Sequence, residues 1–508
     1  MPCAESAWLR GGAATLCLLL AVTLCVRPAV AETLSEALAN AYLINPVLNS
    51  ERANLRATDE QVPIAKSGMR PTISATGDAA FRNTESDIVG GTTRQRGERQ
   101  RCDDATRALE PGFCAFLDAQ QQQTFVQEEG ALEGDGVTHP RGYSVQLTQP
   151  IFEGFQNINA LRQAKASVQA ARESLRAIES TTLLNAVTAY VDVVRDQAVV
   201  RLRQSNVDVL TEQLRQTKDR FNVGEVTRTD VAQAEARRSD AITQLLASQA
   251  DLKASRATYE QIIGHPPSNL EHPPSIVHLL PGRLEDAMTL GDGENPLILA
   301  AVYQEEASLY NVQQIMGELL PQVTLDAQYT QRFGESSSIK EQQVTTVMGR
   351  VNVPLYQGGG VAARVRQAKE VNNQLKKEVE DARLRVHAEV ISAWAQLQAT
   401  ASQIKSAQDS LEANRIALEG VREEEKVGQR TTLDVLNAQL EYLGSQIQLV
   451  TAKRDRVVAE YAVYASIGRL DAQSLGLSVP YYDPIEHYDI VKNKWWGLRP
   501  PPPPAPDE

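Results

Sequence analysis

The stretch Gln149-Pro150-Ile151-Phe152-Glu153-Gly154 returns 204 residues later as Val353-Pro354-Leu355-Tyr356-Gln357-Gly358. Each copy closes a run of alternating polar and apolar residues, which is typical of a β-strand. Each copy also opens a stretch of more than 100 residues without proline, which favours long helices. A strand-to-helix junction that occurs twice at this spacing indicates that one domain-sized module is present in two copies.

The pair Asn45-Pro46 returns 250 residues later as Asn295-Pro296, and Pro71 and Pro321 keep the same offset. Since the offset falls to 204 at the junctions, the first copy carries an insertion of 46 residues before Pro150. We therefore expect repeats over residues 32–282 and 283–469, with the insertion at about 83–140. Residues 470–508 form a C-terminal extension whose proline run predicts an extended, disordered tail.

Residues 1–31 have the pattern of a secretory signal peptide. Arg10 precedes the apolar run 13–26, and Ala29-Val30-Ala31 is a small-x-small cleavage site. A membrane anchor is the alternative, but a spanning helix needs about 20 apolar residues. The sequence thus predicts export. In an exported protein two nearby cysteines usually bond, so Cys102 and Cys114 in the insertion are a candidate disulfide, with two free thiols as the alternative.

The composition argues against several classes of function. The chain has 51 Lys and Arg and 64 Asp and Glu, which gives a net charge of −13. An acidic chain without basic clusters is a poor ligand for nucleic acid. The six histidines lack metal-site spacing, and the sequence has no P-loop, Gly-x-Ser-x-Gly or Cys-x-x-Cys motif. We therefore expect no enzymatic activity, no cofactor and no metal site.

The proline-free stretches predict paired long helices. The first helix, at about 155–221, would hold 67 residues, or about 100 Å at 1.5 Å per residue. The second copy predicts helices at about 361–426 and 432–467, and shorter helices at about 34–66 and 284–318 precede the strands. Two apolar rows with a seven-residue period mark a coiled-coil seam, namely Leu161, Val168, Leu175 and Ala164, Ala171, Ile178. By periodicity alone, a structural coiled coil and a channel remain equal.

Four strand-like runs of about nine to eleven residues follow Pro71 and Pro321 and precede Pro150 and Pro354. Val323, for example, shares an apolar face with the residues at 325, 327 and 329. A half-buried soluble sheet would alternate in the same way, but four runs of matched length in an exported chain favour membrane strands.

Four strands cannot close a barrel, because about eight is the smallest natural number. An open sheet edge in lipid leaves backbone groups without partners, at several kcal/mol each. Neighbouring chains must therefore supply strands, and three chains would supply twelve. Helices that continue from those strands must share the ring. The expected fold is mainly α with a small β part, in which a trimeric 12-stranded transmembrane β-barrel continues into a long α-helical barrel.

These residues resemble the TolC family of outer-membrane efflux and secretion channels. The resemblance rests on the Asn-Pro pairs, on both strand-to-helix junctions, and on the turn sequences at 220–231 and 427–436. It covers about residues 33–470 in order. It implies a homotrimer in the outer membrane lipid with a periplasmic helical barrel. It also implies the exit duct of a tripartite efflux pump or a type I secretion system.

The resemblance further implies a periplasmic adaptor protein and an inner-membrane pump or ABC exporter as partners, which supply the energy for a passive channel. A coiled-coil protein of the cell envelope without a pore is the alternative function. Which substrates pass is not readable from the sequence, because the pump selects them.

Two turns, at 222–230 and 427–432, lie a full helix length from the strands and would form the inner mouth of the duct. Gly224 and Gly428 suit a reversal with φ > 0. Candidate helix N-caps follow each glycine: Thr227 or Thr229, and Thr431 or Thr432. Helix capping alone would explain the acids that come next, Asp230 and Asp434.

The resemblance implies a second role for these acids, in a gate. Thr229 and Asp230 would accept hydrogen bonds on one turn, Arg430 would donate from the other, and Asp434 would form an acidic ring. Such a ring favours cations.

The chain departs from the family's best-known member at two gate positions. Glu425 stands where that member has a tyrosine that bonds the aspartate, and Asn437 replaces a second ring aspartate. One link would then be missing, and Glu425 would repel Asp230 unless a cation such as Arg228 or Arg430 lay between them. We expect a closed state that depends on Arg430 and is less stable.

Overall fold

The computed structural model describes residues 32–84, 112, 115, 136–335 and 339–501. The predicted leader, the cysteine pair Cys102 and Cys114, and residues 502–508 lie outside the described residues. The chain divides into a helical unit and a sheet unit. The sheet unit comprises residues 67–154 and 318–356, and the helical unit comprises the rest. The expected class, mainly α with a small β part, is confirmed.

Where the structure describes it, the sheet unit contains six strands: β1 Thr72–Ala79, β2 Arg82–Thr84, β3 Gly136–Thr138, β4 Arg141–Glu153, β5 Gln322–Phe333 and β6 Glu341–Asn352. Four of them form one antiparallel sheet in the order β1-β4-β5-β6, and β2 and β3 form a short ribbon. The two copies thus meet at the pairing of β4 with β5, where the register shifts between Pro150 and Phe152.

The register gives the sheet two chemically different faces. Across the four strands, Ile73, Leu147, Ala327 and Val347 are successive partners in one row. The next residue along β5, Gln328, pairs with Gln146 and Thr346 on the opposite face. Since successive strand residues point to opposite faces, the alternation predicted from the sequence is present. Ile73 and Val347 remain 70% and 69% exposed in the single chain.

The helical unit contains ten named helices in the described residues: α1 Leu34–Ile44, α2 Pro46–Asp59, α3 Gln61–Ser67, α4 Gln156–Asn222, α5 Arg228–Ile263, α6 Leu284–Glu294, α7 Pro296–Gly317, α8 Gly360–Lys426, α9 Thr432–Ser466 and α10 Glu486–Val491. Helices α4 and α8 both have 67 residues, and their hairpin partners α5 and α9 have 36 and 35. Helix α4 packs against α9, which brings the two hairpins together. No helix among the described residues is apolar enough over a sufficient length to span a bilayer.

The short helices are interrupted where single helices were expected. The Asn-Pro pairs break them, because Asn45 and Asn295 cap α2 and α7 with a proline at the first helical position. The amide Nδ2 of Asn45 donates to the carbonyl of Ile262 at 3.0 Å, and that of Asn295 donates to Ser466 at 2.9 Å. Each asparagine therefore starts one helix and ties it to the end of its own repeat's second hairpin helix.

The main core surrounds the middle of α4. Tyr190 and Tyr259 are fully buried there. The hydroxyl of Tyr190 donates to the carbonyls of Glu32 and Glu271 at 2.8 Å each, and that of Tyr259 donates to Oε1 of Glu32 at 2.7 Å. Towards the hairpin turns the buried apolar set narrows to a small cluster: Val207, Leu210, Ala241, Leu245 and Leu436. Polar contacts consequently carry a larger share of the hairpin association near the turns.

Candidate functional site at the hairpin turns

The two hairpin turns have the same backbone conformation. Gly224 has φ of +81° and Gly428 has φ of +78°, in the region that only glycine adopts without strain. The amide of Gly224 donates to the carbonyl of Phe221 at 3.0 Å, and the amide of Gly428 donates to Glu425 at 3.0 Å. Each glycine therefore follows the end of one long helix and allows the chain to reverse into the next helix.

Both following helices start with a capping box. Oγ1 of Thr227 accepts from the amide of Asp230 at 3.3 Å, while Oδ2 of Asp230 accepts from the amide of Thr227 at 2.8 Å. Thr431 and Asp434 repeat the arrangement at 3.3 and 3.0 Å. Of the candidate caps, the structure selects Thr227 and Thr431, because these residues stand three before an acid. Both acids are therefore held by their own helix starts.

The capping bonds keep one acid ionised. The backbone and side chain of Thr431 both donate to Asp434, and these bonds lower the pKa of Asp434 below its usual value. A partly exposed carboxylate with a lowered pKa carries its charge at every physiological pH. Asp434 can thus present a permanent negative charge at the turn.

Glu425 forms a link between the two hairpins. Nη1 of Arg220, near the end of α4, lies 2.6 Å from Oε1 of Glu425, near the end of α8. The Glu425 side chain is only 13% exposed, and Oγ1 of Thr432 donates to it at 3.4 Å. The bond to Glu425 raises the pKa of Arg220. The sequence interpretation offered Arg228 or Arg430 as the neutralising cation, but the structure places Arg220 there, because it lies on the side of α4 that faces the second hairpin.

Asn437 forms a further link between the hairpins. Nη2 of Arg237, on α5, donates to Oδ1 of Asn437, on α9, at 2.8 Å. The sequence interpretation did not include Arg220 and Arg237, whose signal was an arginine on either side of the first turn. Both positions that depart from the family pattern, Glu425 and Asn437, accept a hydrogen bond from an arginine of the first hairpin.

Arg430 is held within its own hairpin. Its Nε donates to Oε2 of Glu424 at 2.8 Å, a bond that raises the pKa of Arg430. Thr229 is exposed, and Asp230 bonds to Thr227 in the capping box of α5. The predicted donation from Arg430 to Thr229 or Asp230 stays a prediction.

A groove of about 820 Å³ opens beside these links, between α4 and α8. Its lining is dominated by charged side chains, among them Glu212, Arg415, Glu419 and Arg422. In the part of the chain that the structure describes, no cluster of His, Cys, Asp or Glu could hold a metal ion. The site therefore consists of charged contacts and of bonds between the two hairpins that break when the hairpins move apart.

Comparison with known proteins assigns the family. The family model described as "Outer membrane efflux protein" matches residues 33–265 and 292–469. The outer membrane efflux protein BepC of Brucella suis is 39% identical over 485 residues, which cover 95% of this chain and 96% of the relative. The outer membrane protein TolC of Escherichia coli K12 is 24% identical over 369 residues, 69% of this chain and 74% of TolC.

Solved structures show the same fold. The CmeC outer membrane channel of Campylobacter jejuni superposes with a TM-score of 0.71 at 15% identity, covering 91% of this chain and 89% of CmeC. The protein lies in the outer membrane and extends into the periplasm. The repeated junctions and turns predicted this relationship, and the chain belongs to the outer membrane efflux protein family, the TolC family of export channels.

Proposed function

We propose that three copies of this chain form one passive export duct, closed at its periplasmic end by the hairpin turns. The support for three copies is the sheet, in which the described residues form four strands with β1 and β6 at the edges. Backbone groups at such edges cannot stay unpaired in lipid. Pairing β6 of one chain with β1 of the next closes a ring, and three chains give twelve strands.

The observation that carries the gate is the contact between Arg220 and Glu425. An opening movement that separates the hairpins must break this ion pair and the bond between Arg237 and Asn437. Partly exposed ion pairs contribute about 1 kcal/mol or less each. Links of this strength hold a resting state closed and still yield to a binding partner.

A periplasmic adaptor protein is the partner that we propose for the turns. The groove between α4 and α8 offers both signs of charge at the periplasmic end, which suits the tip of a polar helical hairpin. The energy for export comes from an inner-membrane pump or an ABC exporter. The chain itself acts as a channel and performs no catalysis.

Planar-bilayer recording of the purified mature protein tests this function. The wild type should show a small conductance, and Arg220→Ala combined with Arg237→Ala should raise it severalfold. Arg215→Ala is the matched control, because Arg215 pairs with Glu212 on its own helix. An envelope coiled-coil protein without a pore would give no conductance in any variant. Equal conductance in all three proteins would remove the two links from the gate.

A further inference from the structure

The C-terminal extension packs along the helices of the first repeat, and we call its residues 470–493 the strap. The amide of Ala472 donates to Oε1 of Glu179 at 2.8 Å, and the amide of Tyr482 donates to the hydroxyl of Tyr42 at 2.9 Å. Further on, Nδ1 of His487 lies 3.0 Å from Oδ2 of Asp59, and both side chains are buried. The segment after α9 therefore has a fixed course over the helices.

Lys66, in the first repeat, holds the end of the strap. Nζ of Lys66 donates to the carbonyl of Lys492 and to Oδ1 of Asn493, at 2.7 Å each, and the neighbouring Val491 is fully buried. Lys66 precedes Thr72, the first residue of β1, by six positions in the sequence. A chain of six residues spans at most about 20 Å. The chain connection therefore limits how far Lys66 can lie from β1, a strand of the sheet proposed above to enter the outer membrane.

Beyond this anchor, residues 492–499 form a short loop, which we call the tryptophan turn. Gly497 has φ of +121°, and Nζ of Lys494 donates to the carbonyl of Arg499 at 3.0 Å. The turn presents large apolar side chains outward: Trp496 is 90% exposed and Leu498 is fully exposed. Neighbouring exposed apolar side chains of this size mark a surface that can bind a membrane or another protein.

The charge of the tryptophan turn indicates which partner. Lys492, Lys494 and Arg499 lie in it, and Nζ of Lys492 pairs with Oδ1 of Asp489 at 2.7 Å, so that residues 489–501 carry a net charge of +2 in a chain whose net charge is −13. Tryptophan prefers the headgroup region of a bilayer, where its ring is apolar and its N–H stays hydrated. Lysine and arginine beside it are attracted to anionic phospholipids. Aromatic and basic residues together match the headgroup region of a membrane that contains anionic lipid.

We propose that the tryptophan turn is a membrane anchor that inserts Trp496 and Leu498 among the headgroups of the periplasmic leaflet of the outer membrane. The anchor ties the helical unit to the bilayer at a second place besides the strands. It rests on the outer-membrane location and does not depend on the gate.

Quenching of tryptophan fluorescence by brominated lipid tests the anchor. With Trp394→Phe, the mature protein keeps two tryptophans, Trp495 and Trp496, which both lie in the tryptophan turn. Trp8 is lost with the leader. We expect vesicles of phosphatidylglycerol and phosphatidylcholine with bromine near the headgroup end of the acyl chains to quench at least half of the emission. Trp496→Phe should remove most of the quenching, and Arg499→Gln should weaken it.

Other occupants give different results. Blue-shifted emission that brominated lipid leaves unchanged would mean that a neighbouring chain or another protein covers the turn, and it would overturn the proposal. Emission like that of tryptophan in water would overturn it as well. Conductance of the same vesicles is an independent readout, so a failed anchor and a failed channel are distinguishable.

Discussion

Arg220 of the first hairpin contacts Glu425 of the second at 2.6 Å, although the two residues are 205 positions apart. At the repeat offset of 204, Arg220 corresponds to Glu424 and Glu425 corresponds to Phe221. The two copies therefore differ in charge at the place where they face each other. This difference turns a duplicated helix end into a complementary contact.

Exchanging the two charges tests the contact directly. Arg220→Glu alone and Glu425→Arg alone each place like charges opposite each other, so both should raise the open fraction about fivefold, the effect of about 1 kcal/mol. The double variant restores an ion pair and should return conductance towards the wild type. Single-channel recording gives the open fraction, and a double variant that is more open than either single variant would contradict the pairing.

Asn437→Asp should strengthen the closed state. The substitution turns a neutral acceptor for Arg237 into a charged one, which adds about 1 kcal/mol to such a bond. We expect lower conductance and a greater preference for cations. Asn437→Leu, of similar size, is the control that removes the acceptor and should raise conductance. Higher conductance for Asn437→Asp would show that repulsion from other acids outweighs the bond.

Cation preference should be insensitive to pH. Because bonds from Thr431 lower the pKa of Asp434, this acid is ionised at every pH above 3.8, which is its pKa in the unfolded chain. Its contribution to stability is therefore present above that value and is lost as the pH falls through the lower folded pKa. Reversal potentials measured from pH 8 to pH 5 should stay constant, whereas Asp434→Asn should reduce cation preference throughout. A change in preference with a midpoint between pH 5 and 7 would contradict this assignment.

Two glycines near the same helix end should respond oppositely to alanine. Gly428→Ala forces a left-handed backbone on alanine and should lower the stability of the turn by about 1 kcal/mol. Gly420 lies inside α8 with open space around its Cβ position, so Gly420→Ala should stabilise that helix by about 0.5–1 kcal/mol. Hydrogen exchange of the turn amides gives both values. Equal effects would mean that the turn conformation is not the one described.

Removing one hydroxyl should weaken the core. Tyr259→Phe leaves Oε1 of the buried Glu32 without its 2.7 Å bond and should cost about 1–3 kcal/mol. Tyr310→Phe is the control, since that hydroxyl bonds Glu306 one helical turn away and should cost less than about 0.5 kcal/mol. Urea unfolding followed by circular dichroism measures the difference, and equal midpoints would remove Glu32 from the core network.

Local patterns were readable before the structure. The absence of proline predicted the 67 residues of α4, and the alternation predicted the four long strands, because both depend on neighbours a few positions apart. The helices expected at about 34–66 and 284–318 are present, but each range is divided into shorter helices. Asn45 and Asn295 cap new helices there, and the fixed φ of the proline that follows suits a helix start.

The sequence by itself determined the duplication, the long helices, the positions of Gly224 and Gly428 and the family, because each of these depends on short-range spacing or on a repeated motif. Only the tertiary structure decided that Arg220 neutralises Glu425, that Arg237 bonds Asn437, and that Lys66 holds the end of the C-terminal strap. These contacts join residues about 200 or more positions apart. Their partners depend on how each helix is rotated and packed, and that rotation is fixed by the whole core rather than by neighbours in the chain.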